Sequence, residues 1–122
     1  MADVVARFGL VLDCLDPVAL GQFWSAALGY TYVGALDDYS MLVSPTGANP
    51  KLLLQRVPEG KQGKNRMHLD IETPEVDVEV ERLLQLGATR AAAGSEHHEH
   101  GMRWVVMADP EGNEFCVCTG GV

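Results

Sequence analysis

The densest group of chemistry-capable side chains is "EHHEH", residues 96–100, within "GSEHHEHGMRW" at 94–104. Three histidines and two glutamates in five positions offer nitrogen and oxygen donors of the kind that hold nickel or zinc. The spacing is not that of a helical site, where histidines at i and i+4 share one face. The segment reads as a loop, and three roles fit it: an adventitious metal patch, a flap reaching over a ligand through His98 or His100, or a plain solvated polar loop. Elsewhere there is no glycine-rich phosphate loop, no serine-nucleophile elbow and no zinc CxxC pair. Cys116 and Cys118 in "CVC" lie too close along one strand for an easy disulfide, and read as small buried residues.

Composition bounds what such residues can serve. The chain has 122 residues, enough for one domain with one sizeable core. Nine basic against 17 acidic residues leave a net charge of −8. That opposes non-specific binding to nucleic acid or to an anionic membrane. "MADVVARFGLVLD" lacks a basic leader followed by a long apolar run, so neither a signal peptide nor a membrane span is expected. Cys14, Cys116 and Cys118 cannot pair completely within one chain; reduced thiols and a cytoplasmic location follow.

The elements that must position any site follow from periodicity. "VVARFGLVLD" (4–13) reads as a strand. Asp16 can cap a helix and Pro17 suits its first turn; Leu20, Phe23, Trp24, Ala27 and Leu28 then recur on one helical face, and Gly29 ends it. "YTYVGAL", "YSMLVS" and "KLLLQRV" read as three strands. The polar segment "PEGKQGKN" (58–65) links to a second half. There "NRMHLDIE" reads as a strand, and Thr73 and Pro74 open a helix with Val76, Val80, Leu83 and Leu84 on its apolar face. Gly87 ends it, and "ATRAAA", "RWVVMA" and "EFCVC" read as strands. "LGYT" (28–31) parallels "LGAT" (86–89), and "SPTG" (44–47) parallels "DPEG" (109–112). A duplicated strand–helix–three-strand unit is therefore expected, over about residues 4–57 and 66–119. Trp24 belongs to the core; Trp104 is either core or a stacking wall for a ligand. In "MHLDIE", His68, Asp70 and Glu72 share one face of the strand by alternation and Met67, Leu69 and Ile71 the other.

"LDPVALGQFWSAALGY", "NRMHLDIETPEVDVEVERLLQLGAT" and "WVVMADPEGNEFCVC" together resemble the glyoxalase/bleomycin-resistance/dioxygenase group, the vicinal oxygen chelate superfamily, over nearly the whole chain. The resemblance implies a single α+β domain over 1–122, with two βαβββ repeats, curled mixed sheets around a cavity and helices on the outer faces. Many members hold a divalent metal that chelates two adjacent substrate oxygens; others bind drugs without a metal. Carried over position by position, the second-repeat histidine matches His68. The first-repeat ligand falls on Gly9, which has no donor. The last-strand glutamate falls on Cys116, with Glu114 two residues earlier on the same strand face. A further first-repeat position falls near Lys51, Leu53 or Gln55.

The resemblance thus implies a ligand pocket built from His68, Glu114, Cys116 and Gln55, without a complete metal site. His68 and Glu114 are the candidate ligands if a divalent ion binds. The function expected is binding or sequestration of a small organic ligand in a metal-free pocket. The alternative is a lyase, isomerase or dioxygenase, metal-dependent or using His68 and Glu114 as an acid/base pair. Homodimerisation is expected from the family's habit of completing its cavities with a second copy.

Overall fold

The computed structural model describes residues 5–91 and 96–119. The chain divides into two compact units, Met1–Glu59 and Gly60–Val122. In the first, β1 (Leu10–Cys14) leads to α1 (Pro17–Leu28) and then to β2 (Thr31–Leu36), β3 (Tyr39–Val43) and β4 (Leu52–Arg56). Asp16 accepts hydrogen bonds from the N–H groups of Val18 and Ala19, and Pro17 sits where no partner is needed. Gly29 closes the helix at φ 68°, a conformation that glycine adopts without penalty. The sheet order is β1-β4-β3-β2; β1 and β4 run parallel and the other pairs antiparallel. α1 packs on one face of this sheet. Leu20, Phe23, Trp24 and Ala27 of the helix are buried with Leu42, Leu52 and Leu54 of the strands. The opposite face carries Val11, Tyr39 and Met41, all exposed.

In the second unit, β5 (Asp70–Glu72) and α2 (Val76–Leu86) precede β6 (Thr89–Arg90), β7 (Glu96–Glu99), β8 (Met102–Ala108) and β9 (Glu114–Cys118). The sheet order is β5-β9-β8-β6, with β7 also paired to β8. β5 and β9 are parallel, the remaining pairs antiparallel. α2 packs on this sheet, and Val76, Val80 and Leu83 are buried, as are Val105, Met107, Phe115 and Val117. Leu84 is only half-buried. The molecule is thus α+β, with two helices and two mixed sheets, neither closed into a barrel. Among the described residues no helix is long and apolar enough to cross a membrane.

Five sequence expectations shift. The first strand begins at Leu10, because its partner β4 begins at Leu52 and Pro50 has no N–H to extend the ladder; Val4 lies outside the described residues. The strand expected over 65–72 is paired only from Asp70, which leaves His68 just before the ladder. α2 starts at Val76, since Thr73 Oγ1 accepts the Glu75 N–H and holds a turn ahead of the helix. The histidine segment, expected as a loop, is the strand β7. His100 and Gly101, at φ 53° and 75°, form the tight turn that folds it onto β8. Of "ATRAAA", Thr89–Arg90 is strand among the described residues, and residues 92–95 lie outside them.

Candidate functional site

The parallel pairing of β5 with β9 sets Asp70 beside Cys116 and Glu72 beside Cys118. Side chains alternate, so Phe115 and Val117 enter the core while Glu114, Cys116 and Cys118 share the other face. The turn before β9 fixes that register: Asp109 accepts from the Glu111 and Asn113 N–H groups and from the Asn113 side chain, all close by. Both Asp109 and Asn113 are buried.

On this face His68 Nε2 lies 3.2 Å from Asp70 Oδ1. The Cys116 thiol lies near Asp70 as well, paired to it across the strands. One donor atom from each of His68, Asp70 and Cys116 falls within 4.8 Å of the others. His68 and Asp70 are exposed and Cys116 is buried. Burial, the Asp70 charge and neighbouring Cys118 push the Cys116 thiol up to about 11, so it stays protonated at neutral pH. Burial, Asp70 and Glu72 raise Cys118 too. Asp70 is the centre of this group, a carboxylate that sequence reasoning placed on the His68 face without giving it a role.

Glu114 is engaged elsewhere. Its carboxylate accepts the Asn65 N–H at 2.6 Å and pairs with Lys61 Nζ at 2.7 Å. Burial alone would raise its pKa, but the Asn65 N–H and the Lys61 ammonium outweigh that and hold it low. Lys61 and Asn65 lie in the segment 58–65 that reads as a bare linker; its lysines, before a strand that pairs with the one carrying Glu114, are the only sequence signal of the contact. The carboxylate in contact with His68 is therefore that of Asp70.

The first unit holds Gln55 and the Gly9 position. Gln55 is half-buried on β4, beside Asp13 of β1 and Tyr39 of β3, and alternates with the buried Leu54. Gly9 lies against Lys51: a Cβ at position 9 would come within 3.0 Å of Lys51 Cγ and 3.1 Å of Lys51 Cε. The lysine stem thus fills the space a side chain there would use. Beside it an open groove of about 630 Å³ is lined by Arg7, Phe8, Gly9, Asn49, Pro50 and Lys51, among others. None of His68, Glu114, Cys116 or Gln55 lines this groove.

The β7 histidines form no common donor set. His97 stacks on Trp104, ring centroids 5.2 Å apart and planes 19° apart. His98 pairs with Glu96 at 3.0 Å, which also binds Arg103. His100 lies 3.8 Å from Glu99 and is largely in solvent. Arg103 bridges Glu96 to Asp77 of α2. Hydrogen bonds from Arg103 hold both carboxyls low.

Two mixed sheets, each with one helix, and a histidine placed ahead of a strand beside the last strand are features of the vicinal oxygen chelate class. The chain belongs to the glyoxalase-like domain family, whose model matches residues 9–118. It is similar in fold to a glyoxalase/bleomycin resistance protein/dioxygenase family enzyme from Burkholderia phytofirmans PsJN, with 21% identity over 90% of this chain and 94% of that one, at a TM-score of 0.71. A mutant fosfomycin resistance protein FosX from Listeria monocytogenes, complexed with Mn(II) and 1S,2S-dihydroxypropylphosphonic acid, matches at 15% identity and TM-score 0.75, over 100% of this chain and 94% of that one. The oxidase ChaP-H2 matches at 17% identity and TM-score 0.70, over 98% and 96%. No curated protein sequence matches the chain.

The class raises the question of a divalent ion. An oxygen-preferring ion such as magnesium or manganese does not fit these residues. The donors grouped on the second unit include a protonated thiol, and Glu114 is held by Lys61. The His68, Asp70 and Cys116 set matches zinc chemistry in type. Yet Asp70 is already paired with His68 at 3.2 Å.

Proposed function

We propose that the chain is a glyoxalase-like protein that binds or sequesters a small organic ligand without needing a metal. The observation that carries this reading is the Lys51 stem packed against Gly9, where the family resemblance expects a donor and this chain has none. His68, Cys116 and Glu114 remain the proposed ligand-pocket residues, with Asp70 added because it pairs with His68. The test is a thermal-shift screen of small organic compounds on untagged, EDTA-treated protein. A compound that raises the melting temperature in EDTA, and whose effect His68→Ala weakens more than joint replacement of His97 and His98, supports the reading. Binding that needs added metal refutes it.

The grouping of His68, Asp70 and Cys116 favours a second reading, a metal-dependent or acid/base enzyme centred on that face. A thiophilic ion there would displace the Cys116 proton. Cobalt(II) would then give a thiolate charge-transfer band in the near ultraviolet, and Cys116→Ser would abolish it.

We also propose a homodimer, supported by the exposed apolar face of the first sheet, where Val11 is 59% exposed. A cytoplasmic location is proposed on the three buried cysteines, which form no disulfide among the described residues.

A further inference from the structure

The groove in the first unit has a charge character opposite to that of the whole chain. The chain carries −8, yet among the described residues lining the groove there are two cations, Arg7 and Lys51, and no carboxylate. Neither cation has an ion-pair partner among the described residues. Between them the wall is apolar: Phe8, 66% exposed, with Pro50 and Val43. Asn49 adds an amide donor, and Tyr30 fixes the rim by donating its hydroxyl to the Pro50 carbonyl at 2.7 Å. Gly9 matters because its missing side chain lets the Lys51 stem lie flat against the backbone. The groove volume lies within the range usual for small-ligand sites.

We propose that this groove binds a small organic anion, its carboxylate, sulfonate or phosphonate set between Arg7 and Lys51 and its flat apolar body against Phe8 and Pro50. The inference goes beyond the small-molecule reading above: it gives the first unit a second ligand site of its own, lined by none of the His68-face residues. Two cations with no ion-pair partner among the described residues favour an anion by charge, and the arginine fork can donate two hydrogen bonds to a pair of oxygens on any of these groups. The exposed aromatic supplies apolar area that a purely inorganic anion would leave unused.

The experiment compares two fluorescent probes of nearly the same aromatic body, anionic 8-anilinonaphthalene-1-sulfonate and neutral N-phenyl-1-naphthylamine. Both are titrated into the wild-type chain, the double variant Arg7→Gln/Lys51→Gln and the variant His68→Ala. Both altered cations are exposed, and circular dichroism checks that each variant is folded. The expected result is sulfonate binding weakened about tenfold in the double variant, unchanged in His68→Ala, with the neutral probe bound equally by all three. Sulfonate binding indifferent to the double substitution overturns the groove as an anion site. If His68→Ala abolishes binding instead, the groove assignment falls while the small-molecule reading stands. If the folded wild type retains neither probe, the groove proposal falls and the thermal-shift screen decides the broader reading.

Discussion

Cys116 is the residue whose type departs most from what the family pattern asks, and its surroundings define what it can do. Burial and the adjacent Asp70 push the thiol up to about 11 and keep it protonated, so it is a poor nucleophile at neutral pH. Native protein at pH 8 should react with a disulfide reagent slowly at all three cysteines, since each is buried, and react fully once unfolded in guanidinium. A single fast thiol lost in Cys116→Ser would contradict this. Glu114 makes the opposite kind of statement. Its pKa is depressed by Asn65 and Lys61 against the effect of burial. The stabilisation is therefore complete above its unfolded pKa, about 4.5, and is lost as pH falls through the lower folded value. Glu114→Gln should cost about 1–2 kcal/mol at pH 7, and the gap to wild type should close at low pH in denaturant titrations. A gap that stays constant from pH 7 to pH 3 would show that the charge is not the cause. His68 and Cys116 were named from the family resemblance, but the partner expected for His68 was Glu114, and the carboxylate beside it is that of Asp70. The engagement of Glu114 was not legible, because Lys61 and Asn65 lie about 50 residues away in a segment with no periodicity.

Among the elements, α1 shows how a close approach can override helix propensity. Gly21 sits in its interior, where alanine is ordinarily favoured by about 1 kcal/mol. A Cβ there would lie 2.8 Å from Tyr32 Cε2 on β2, and Tyr32 is itself held by a 2.9 Å hydrogen bond with Ser40. Gly21→Ala should therefore destabilise the protein by about 1–2 kcal/mol, read as a lower urea midpoint. A raised midpoint would mean that Tyr32 moves freely. Both helices were legible because apolar periodicity and terminal glycines agree with each other, as at Gly29 and Gly87. β7 was misread because "EHHEH" has no apolar alternation to mark a strand. Its order comes from cross-strand partners, His97 on Trp104 and Arg103 on Glu96, and from the His100–Gly101 turn. The dipeptide "HG" ahead of "MRWVVMA" was the available hairpin signal.

At the scale of the whole molecule, the exposed Val11, Val33 and Met41 lie on strands of the first sheet and favour a second copy as cover. Light scattering at micromolar concentration should give twice the 13.2 kDa chain mass, and the single-chain mass would count against the dimer. The central claim, ligand binding without a metal, is tested most directly by the metal-to-chain ratio of the untagged protein after incubation with manganese(II) and zinc(II) and gel filtration. A parallel sample lacking His97 and His98 excludes ions gathered by β7. The expected result is far less than one ion per chain, unchanged by His68→Ala. One manganese or zinc per chain, lost on His68→Ala, would contradict it.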